Sequence, residues 1–413
     1  MPDLEALNGV AAADIEAVNG VAKANIEAIN GVSVVSGSAA ATRWAVAMDD
    51  GYISWANAAD IATVGTWETN TYLAKSGMSS DGFDIGYGKD GSGNAMWMTV
   101  MNSSSNEIMF DGNNDITDES NWSSHNIGSS YGNAKQEVVE WGAGDGTSDS
   151  SSGSPVTRAD CWISSGRTSS GNAWIHRSVD GGSNWTHVNL DGLTNITGNT
   201  NADYHLRALA SDGTGNWMVA QRGNLYFSSD SGVSWAYLIQ PTGSGTDLIR
   251  DIVYTNNTWV VLSKVSADLK LTTCVGSTAV NMDASGDWSN PVHLNASAGD
   301  LNGNNAFATM AAAGGRVVVI DHSKSLAATV NGKNDPVIVG DRQDIPDTGG
   351  SSNCIATDGT TWLVGSDGGG SPSGGDICRS LDGGESWSII ADGINSSGDR
   401  KIEGIAANVV LPL

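Results

Sequence analysis

The chain has 413 residues, 53 of them Gly, with 39% apolar residues, 15 Trp and only 16% charged residues. Its 46 acidic and 20 basic side chains give a formal charge of −26, so phosphate backbones and anionic bilayers make poor partners: no nucleic acid and no membrane insertion are expected. Gly, Ser, Asn and Asp crowd the spaces between short apolar runs, a composition of many tight turns and few helices, while the apolar fraction excludes a chain unable to bury a core.

The N-terminal stretch has no basic segment followed by an apolar one and the chain has no run of 18 apolar residues, so neither a signal peptide nor a membrane span is expected. Instead DLEALNGVAAA, DIEAVNGVAKA and NIEAINGVSVV follow one another at a period of 11 residues. Their apolar positions are Leu4, Leu7, Val10, Ile15, Val18, Val21, Ile26, Ile29 and Val32. An 11-residue period fits a right-handed helical supercoil, yet Asn-Gly is a strong stop or turn signal, so a chain of one-turn helices or turns is expected in preference to a rod. Units this short cannot bury their own apolar faces. Residues 1–35 therefore read as an anchor or oligomerisation segment, and SGSAAAT at 36–42 as a linker.

From residue 43 a second repeat begins. An aromatic or β-branched residue opens a strand at Trp44, Trp97, Trp162, Trp217, Trp259, Val317 and Trp362, a spacing of about 53 residues, the length of one four-stranded propeller blade. A turn ending in Trp recurs as SVDGGSNW, SSDSGVSW and SLDGGESW. Its shared positions are Ser178, Asp180, Gly182 and Trp185; Ser228, Asp230, Gly232 and Trp235; and Ser380, Asp382, Gly384 and Trp387. DITDESNW, ending at Trp122, and NMDASGDW, ending at Trp288, are eroded copies; Trp67 stands without Ser or Asp, and a Trp-less copy is expected near VNGKNDPVIVG, 330–340. Asp can accept hydrogen bonds from N–H groups of the turn and Gly supplies positive φ, so these aspartates are predicted to lock turns and not to bind ligand.

The three complete turns resemble the Asp-box, or BNR repeat, found on the outer hairpin of propeller blades in sialidases, other glycoside hydrolases and non-enzymatic binding proteins. The fold expected for residues 43–413 is all-β: a seven-bladed β-propeller of four-stranded antiparallel blades. Segments such as His205–Ser211, Ile249–Tyr254 and Ser352–Thr357 precede the aromatic strand, but blade one lacks this segment and Lys401–Ala407 is left over at the C-terminus. The last strand is therefore predicted to complete the first blade.

The residues of catalysis are harder to find. Sialidase-type Asp-box enzymes use an arginine cluster, whereas the 11 Arg here are spread along the chain and Arg43 precedes Trp44 and not Ile-Pro. Glu137 and Glu140 form the only close Glu pair of the propeller, but residues three apart on a strand are expected on opposite faces. The six His, at 125, 176, 187, 205, 293 and 322, show no zinc spacing. DGNNDITD (111–118) opens like a calcium loop but has Ile116 and Trp122 where Gly and Glu belong. Cys161, Cys274, Cys354 and Cys378 are expected as free, half-buried thiols, and the Gly/Ser-rich insertions 142–160 and 366–376 as mobile or contact loops. No catalytic residue, metal or cofactor is expected, and the chain reads as a non-enzyme.

The tandem IEA-(V/I)-NGV-A-x-A units ahead of a lysine-poor propeller are similar to structural proteins of tailed bacteriophages. That resemblance implies a virion component present in multiple copies, in a tail, fibre or other appendage. Residues 1–35 would attach to other virion proteins, and the propeller would face a host-surface glycan or protein. The alternative is a secreted bacterial propeller that binds or acts on glycans.

Overall fold

The structure, a computed structural model, describes residues 42–73, 82–101, 107–111, 116–117, 119–126, 135–149, 156–167, 173–190, 193, 206, 208–239, 241, 248–266, 268–276, 278, 281–294, 308–346, 351–367, 374–394 and 400–409, together with 6–7, 10–11, 17–18, 21–22, 28–29 and 32–33. The chain divides into two compact units, Met1–Arg43 and Trp44–Leu413.

In the first unit, Ala6–Leu7 pairs with Val10–Ala11, Ala17–Val18 with Val21–Ala22, and Ala28–Ile29 with Val32–Ser33, all antiparallel. Leu7 faces Val10, Val18 faces Val21 and Ile29 faces Val32, so each pair brackets one Asn-Gly. That is the spacing of a two-residue hairpin, for which Asn-Gly is the strongest short signal. Of the expected one-turn helices or turns, the strand pairs agree with turns and not with helices. The anchor positions Leu4, Ile15 and Ile26, and the linker up to residue 41, lie outside the described residues.

The second unit is an all-β propeller of four-stranded antiparallel blades, with seven such sheets among the described residues. Blade 1 runs, from the innermost strand outward, Ile402–Ala407, Arg43–Met48, Tyr52–Asn57 and Tyr72–Leu73. Blade 2 is Gly82–Lys89, Ala95–Met101, Glu107–Asp111 and Trp122–Asn126, and blade 3 is Lys135–Gly142, Cys161–Arg167, Ala173–Ser178 and Thr186–Asn189. Blade 4 is Ala208–Ser211, Trp217–Gln221, Asn224–Ser228 and Ala236–Ile239; blade 5 is Leu248–Thr255, Thr258–Val265, Asp268–Cys274 and Val292–His293. Blade 6 is Thr309–Ala313, Arg316–Asp321, Lys324–Thr329 and Val337–Asp344; blade 7 is Ser352–Thr357, Trp362–Ser366, Gly375–Ser380 and Ser388–Ile394.

The seven aromatic or β-branched starts all open second strands. These strands lie between neighbouring blades, buried on both faces, which is why they read as continuous apolar runs and not as alternating patterns. Ile402–Ala407 pairs with Arg43–Met48, Ala407 opposite Trp44 and Ile402 opposite Met48, and each innermost strand lies against the innermost strands of both neighbouring blades. The ring is closed by the C-terminal strand, which supplies the innermost strand of blade 1.

The core is divided into apolar layers, each filling the seam between two adjacent blades. Between blades 3 and 4, Ile163 and Ile175 meet Leu209, Trp217 and Tyr226; between blades 6 and 7, Val318 and Ile320 meet Ile355, Trp362 and Val364. The seams are tight. A Cβ on Gly88 of blade 2 would come within 2.2 Å of the Trp141 side chain of blade 3.

Candidate functional site

The three Asp-boxes share one hydrogen-bond pattern. The Ser hydroxyl donates to the Asp carboxylate, at 2.8 Å for Ser178–Asp180, 2.8 Å for Ser228–Asp230 and 2.7 Å for Ser380–Asp382, and accepts the N–H of Gly182, Gly232 or Gly384. The other face of the carboxylate accepts from the backbone and side chain of the residue four positions on: Asn184, Ser234 and Ser386. The glycine φ values of 87°, 78° and 88° explain why Gly holds that position. Burial pushes the Asp180 and Asp382 carboxyls up, but the donated hydrogen bonds outweigh it and hold both below the ordinary value.

Each box also grips the preceding blade. Gly232 of blade 4 lies against Ile163 of blade 3, and Ser231 O accepts Arg177 Nε at 2.5 Å. In blade 7, Gly384 lies against Val318, Gly383 O accepts Arg316 Nε at 3.0 Å, and Trp387 Nε1 donates to Ser325 Oγ at 2.8 Å, all three partners belonging to blade 6. Trp185 and Trp235 instead donate to the Gly carbonyl of their own turn. In two other copies a helical turn precedes the Trp: Trp67 lies in the helix Val64–Thr69 and Trp288 follows a 3-10 turn at Ser285–Asp287, their indoles donating to Ile61 O and Met282 O. Sequence reading missed a second set of locks, in the loops joining first and second strands. Asp90, Asp212 and Asp358 accept the N–H groups of Ser92 and Asn94, of Thr214 and Asn216, and of Thr360 and Thr361.

The innermost strands surround a central cavity of about 840 Å³. Five of them carry a β-bulge at the same height, after Gly82, Gln136, Ile249, Ser352 and Ile402. The extra residue opposes nothing on the neighbouring strand, and the side chains of Glu137, Arg250, Asn353 and Glu403 line the cavity from these bulges. The bulge also overturns the expectation for Glu137 and Glu140. Alternation is broken between Gln136 and Val138, so both carboxylates line the cavity.

Just beyond the bulge stand two equivalent aspartates. Asp84 accepts Ile85 N at 2.9 Å and, across the seam, Val139 N of blade 3 at 3.0 Å. Asp251 accepts Ile252 N at 2.8 Å and, across its seam, Met310 N at 2.8 Å and Thr309 Oγ1 at 2.6 Å in blade 6. The next position is apolar in all seven blades, from Ile85, Val139 and Leu209 to Ile405. One step further the wall is Gly86, Ala210, Val253, Ala311 and Ala356, with Glu140 the exception. Then come three aromatics, Tyr87, Trp141 and Tyr254, each directly opposite a second-strand Trp: Trp97, Trp162 and Trp259.

Six carboxylates, Asp84, Glu137, Glu140, Asp212, Asp251 and Glu403, share this cavity with Lys89 and Arg250. Burial, partly offset by the backbone donors, pushes Asp84 up to about 7 and Asp251 up to about 6. Burial and the charges of Asp84 and Asp251 raise Glu140 well above the ordinary carboxylate value. Asp84, Asp251 and Glu403 were not singled out in the sequence; the signal available was an Asp inside an apolar segment, in FDI and RDI.

The other sequence candidates lie elsewhere. His176 and His187 sit on the third and fourth strands of blade 3 beside Trp174, the His187 and Trp174 ring centres 3.9 Å apart, and burial lowers His176 to about 3. None of the four cysteines is in a disulfide, and all are buried, not half-buried, because each lies in a blade seam or against the channel wall. Residues 112–115 and 118 of the calcium-like segment lie outside the described residues, and among the described residues no three metal-capable side chains converge. The insertion 142–160 is tied at its base: Asp160 accepts Gly144 N, and Ser148–Asp149 pairs with Val156–Thr157. No helix among the described residues is long and apolar enough to cross a membrane.

No family model matches the chain, and no curated protein matches it. Among solved structures it is similar to YCF48 bound to D1 peptide, at 13% identity over 75% of this chain and 81% of that one, with a TM-score of 0.45. It is similar to virginiamycin B lyase from Staphylococcus aureus at 11% identity over 76% and 85%, TM-score 0.45, and to a streptogramin B lyase at 10% identity over 75% and 82%, TM-score 0.46. Similarity at this level carries no argument about activity.

Proposed function

We propose that the chain is a non-enzymatic structural and binding component of a tailed-bacteriophage particle, its N-terminal repeats attaching it to other virion proteins and its propeller presented for contact with a host-surface glycan or protein. The observation that carries this reading is the division of labour along the chain. The three strand pairs with their tandem apolar repeats form a unit of their own, while the propeller closes through Ile402–Ala407 and takes no strand from them. Two-stranded pairs this short are marginal alone and need a surface to cover their apolar residues. The Asp-box carboxylates favour the same reading, since their oxygens are engaged within their own turns. Mass spectrometry of purified particles from the source culture tests it: the chain should be recovered in proportion to known virion proteins, and its absence would exclude the assignment.

One observation favours a glycan-active propeller as the second reading: Asp84 and Asp251 sit in a cavity with carboxyls raised towards neutrality, the range useful for acid–base chemistry. Release of reducing sugar from cell-surface polysaccharide by the wild type, lost in Asp251→Asn, would decide for it.

A further inference from the structure

The geometry points to the central channel as a binding site for an elongated organic cation, an aliphatic amine whose ammonium group is received beside Glu140 and whose hydrocarbon body lies along the aliphatic and aromatic walls. The cavity, at about 840 Å³, is of the size and mixed lining of small-molecule sites. Its walls are layered along the axis. A girdle of aliphatic residues and Met, one from each innermost strand, lies between the carboxylates at the bulges and the aromatic trio at the other end.

The trio is built rigidly. Tyr87 meets Trp97 edge-on at 4.9 Å between ring centres, and Tyr254 meets Trp259 at 4.8 Å, so these rings are braced before any ligand arrives. One of the two cations in the cavity is already placed against an aromatic, Lys89 Nζ lying 5.7 Å from the centre of the Trp141 ring. An ammonium group is therefore compatible with this wall.

Glu140 is the residue that has no counterpart. At its height five of the other innermost strands present Gly, Ala or Val to the cavity, so there is room in front of its carboxylate. Asp84, Asp251 and Glu140 each accept a backbone N–H across a seam, from Val139, Met310 and Ser211, but only Glu140 does so at the height of the small wall residues. A carboxylate held among apolar walls is costly to ionise unless a cation joins it, and a narrow cleft with an excess of one charge concentrates ligands of the opposite sign. An inorganic ion fits less well, since no three metal-capable groups converge among the described residues.

The test is calorimetric titration of the full chain with n-hexylammonium at pH 8, with hexanoate and hexanol as controls. The cation alone should bind. Glu140→Gln should weaken it about tenfold or more by removing the charge-assisted partner. Val409→Lys, on the cavity wall just after the last strand, should block it by placing a tethered ammonium in the channel, and this variant decides the matter if Glu140→Gln does not fold. No binding by the wild type, equal binding of hexanoate, or binding that persists in both variants would overturn the assignment. Each outcome is read on the isolated chain, so it is independent of attachment to a particle.

Discussion

Substituting Asp230 by Ala should destabilise the propeller far more than the same change at Asp382, although the two residues occupy equivalent places in the same motif. Asp230 is 1% exposed. Its carboxylate accepts Ser228 Oγ at 2.8 Å, Ser234 N at 2.9 Å and Ser234 Oγ at 2.6 Å. Alanine leaves the buried Ser228 hydroxyl, and the N–H and hydroxyl of the exposed Ser234, without their acceptor. The adjoining turn is also the grip on blade 3, through Ser231 O and Gly232. Charge-assisted bonds contribute about 1.5–3 kcal/mol and an orphaned buried donor costs a similar amount, so a loss of about 3 kcal/mol is expected at Asp230. Asp382 makes the corresponding bonds at 2.7, 2.9 and 2.5 Å, but it is exposed and water replaces the lost acceptor, so about 1 kcal/mol is expected there. Urea unfolding followed by Trp fluorescence measures both. Equal losses at the two positions would refute the argument that burial, and not the motif itself, sets the magnitude.

The channel aspartates make stability depend on pH. The folded carboxyls of Asp84 and Asp251, at about 7 and about 6, lie above the ordinary 3.8. Their contribution is therefore complete below pH 3.8 and is lost as pH rises towards 7. Melting temperature measured across that range should decline, and Asp84→Asn with Asp251→Asn should flatten the decline; an unchanged slope would contradict it. Removing residues 402–413 should prevent the propeller from folding, by unpairing Arg43–Met48, whereas removing residues 1–35 should leave its melting transition in place; circular dichroism distinguishes the two truncations. The native protein should resist a thiol reagent at pH 8 and show four reactive thiols only on unfolding, since burial pushes Cys161 and Cys274 up to about 12 and Cys354 well above the ordinary thiol value.

The ring was readable in the sequence because its signals are local and repeated. Each second strand is an apolar run opened by an aromatic or β-branched residue, each complete Asp-box is confined to eight residues, and the leftover segment at Lys401–Ala407 had only one strand without a partner to join. The N-terminal units were harder, because an 11-residue apolar period suits a helix as well as a chain of hairpins. The pairings of Leu7 with Val10, Val18 with Val21 and Ile29 with Val32 decide for hairpins. There the local chemistry of Asn-Gly outweighs the longer period.

The channel was not readable, and the reason is geometric. Glu137 and Glu140 were assigned to opposite faces by an alternation that holds only on a regular strand, and the bulge after Gln136 cancels it. Bulges leave little trace in one sequence, since the residues placed in them here, Glu137, Arg250, Asn353 and Glu403, share neither size nor charge. Asp84 and Asp251 were obscured for a related reason: each meets its partners on the next blade, 55 and 59 residues away along the chain. A carboxylate in an apolar strand therefore gains its explanation only when the ring closes around it. Once the ring is closed, Asp84 and Asp251 account for their own burial by clasping backbone across the seams. Glu140 takes the N–H of Ser211 on blade 4 in the same way, but it stands alone at a height where the cavity wall is otherwise Gly, Ala or Val, so it is the carboxylate with space beside it for a ligand.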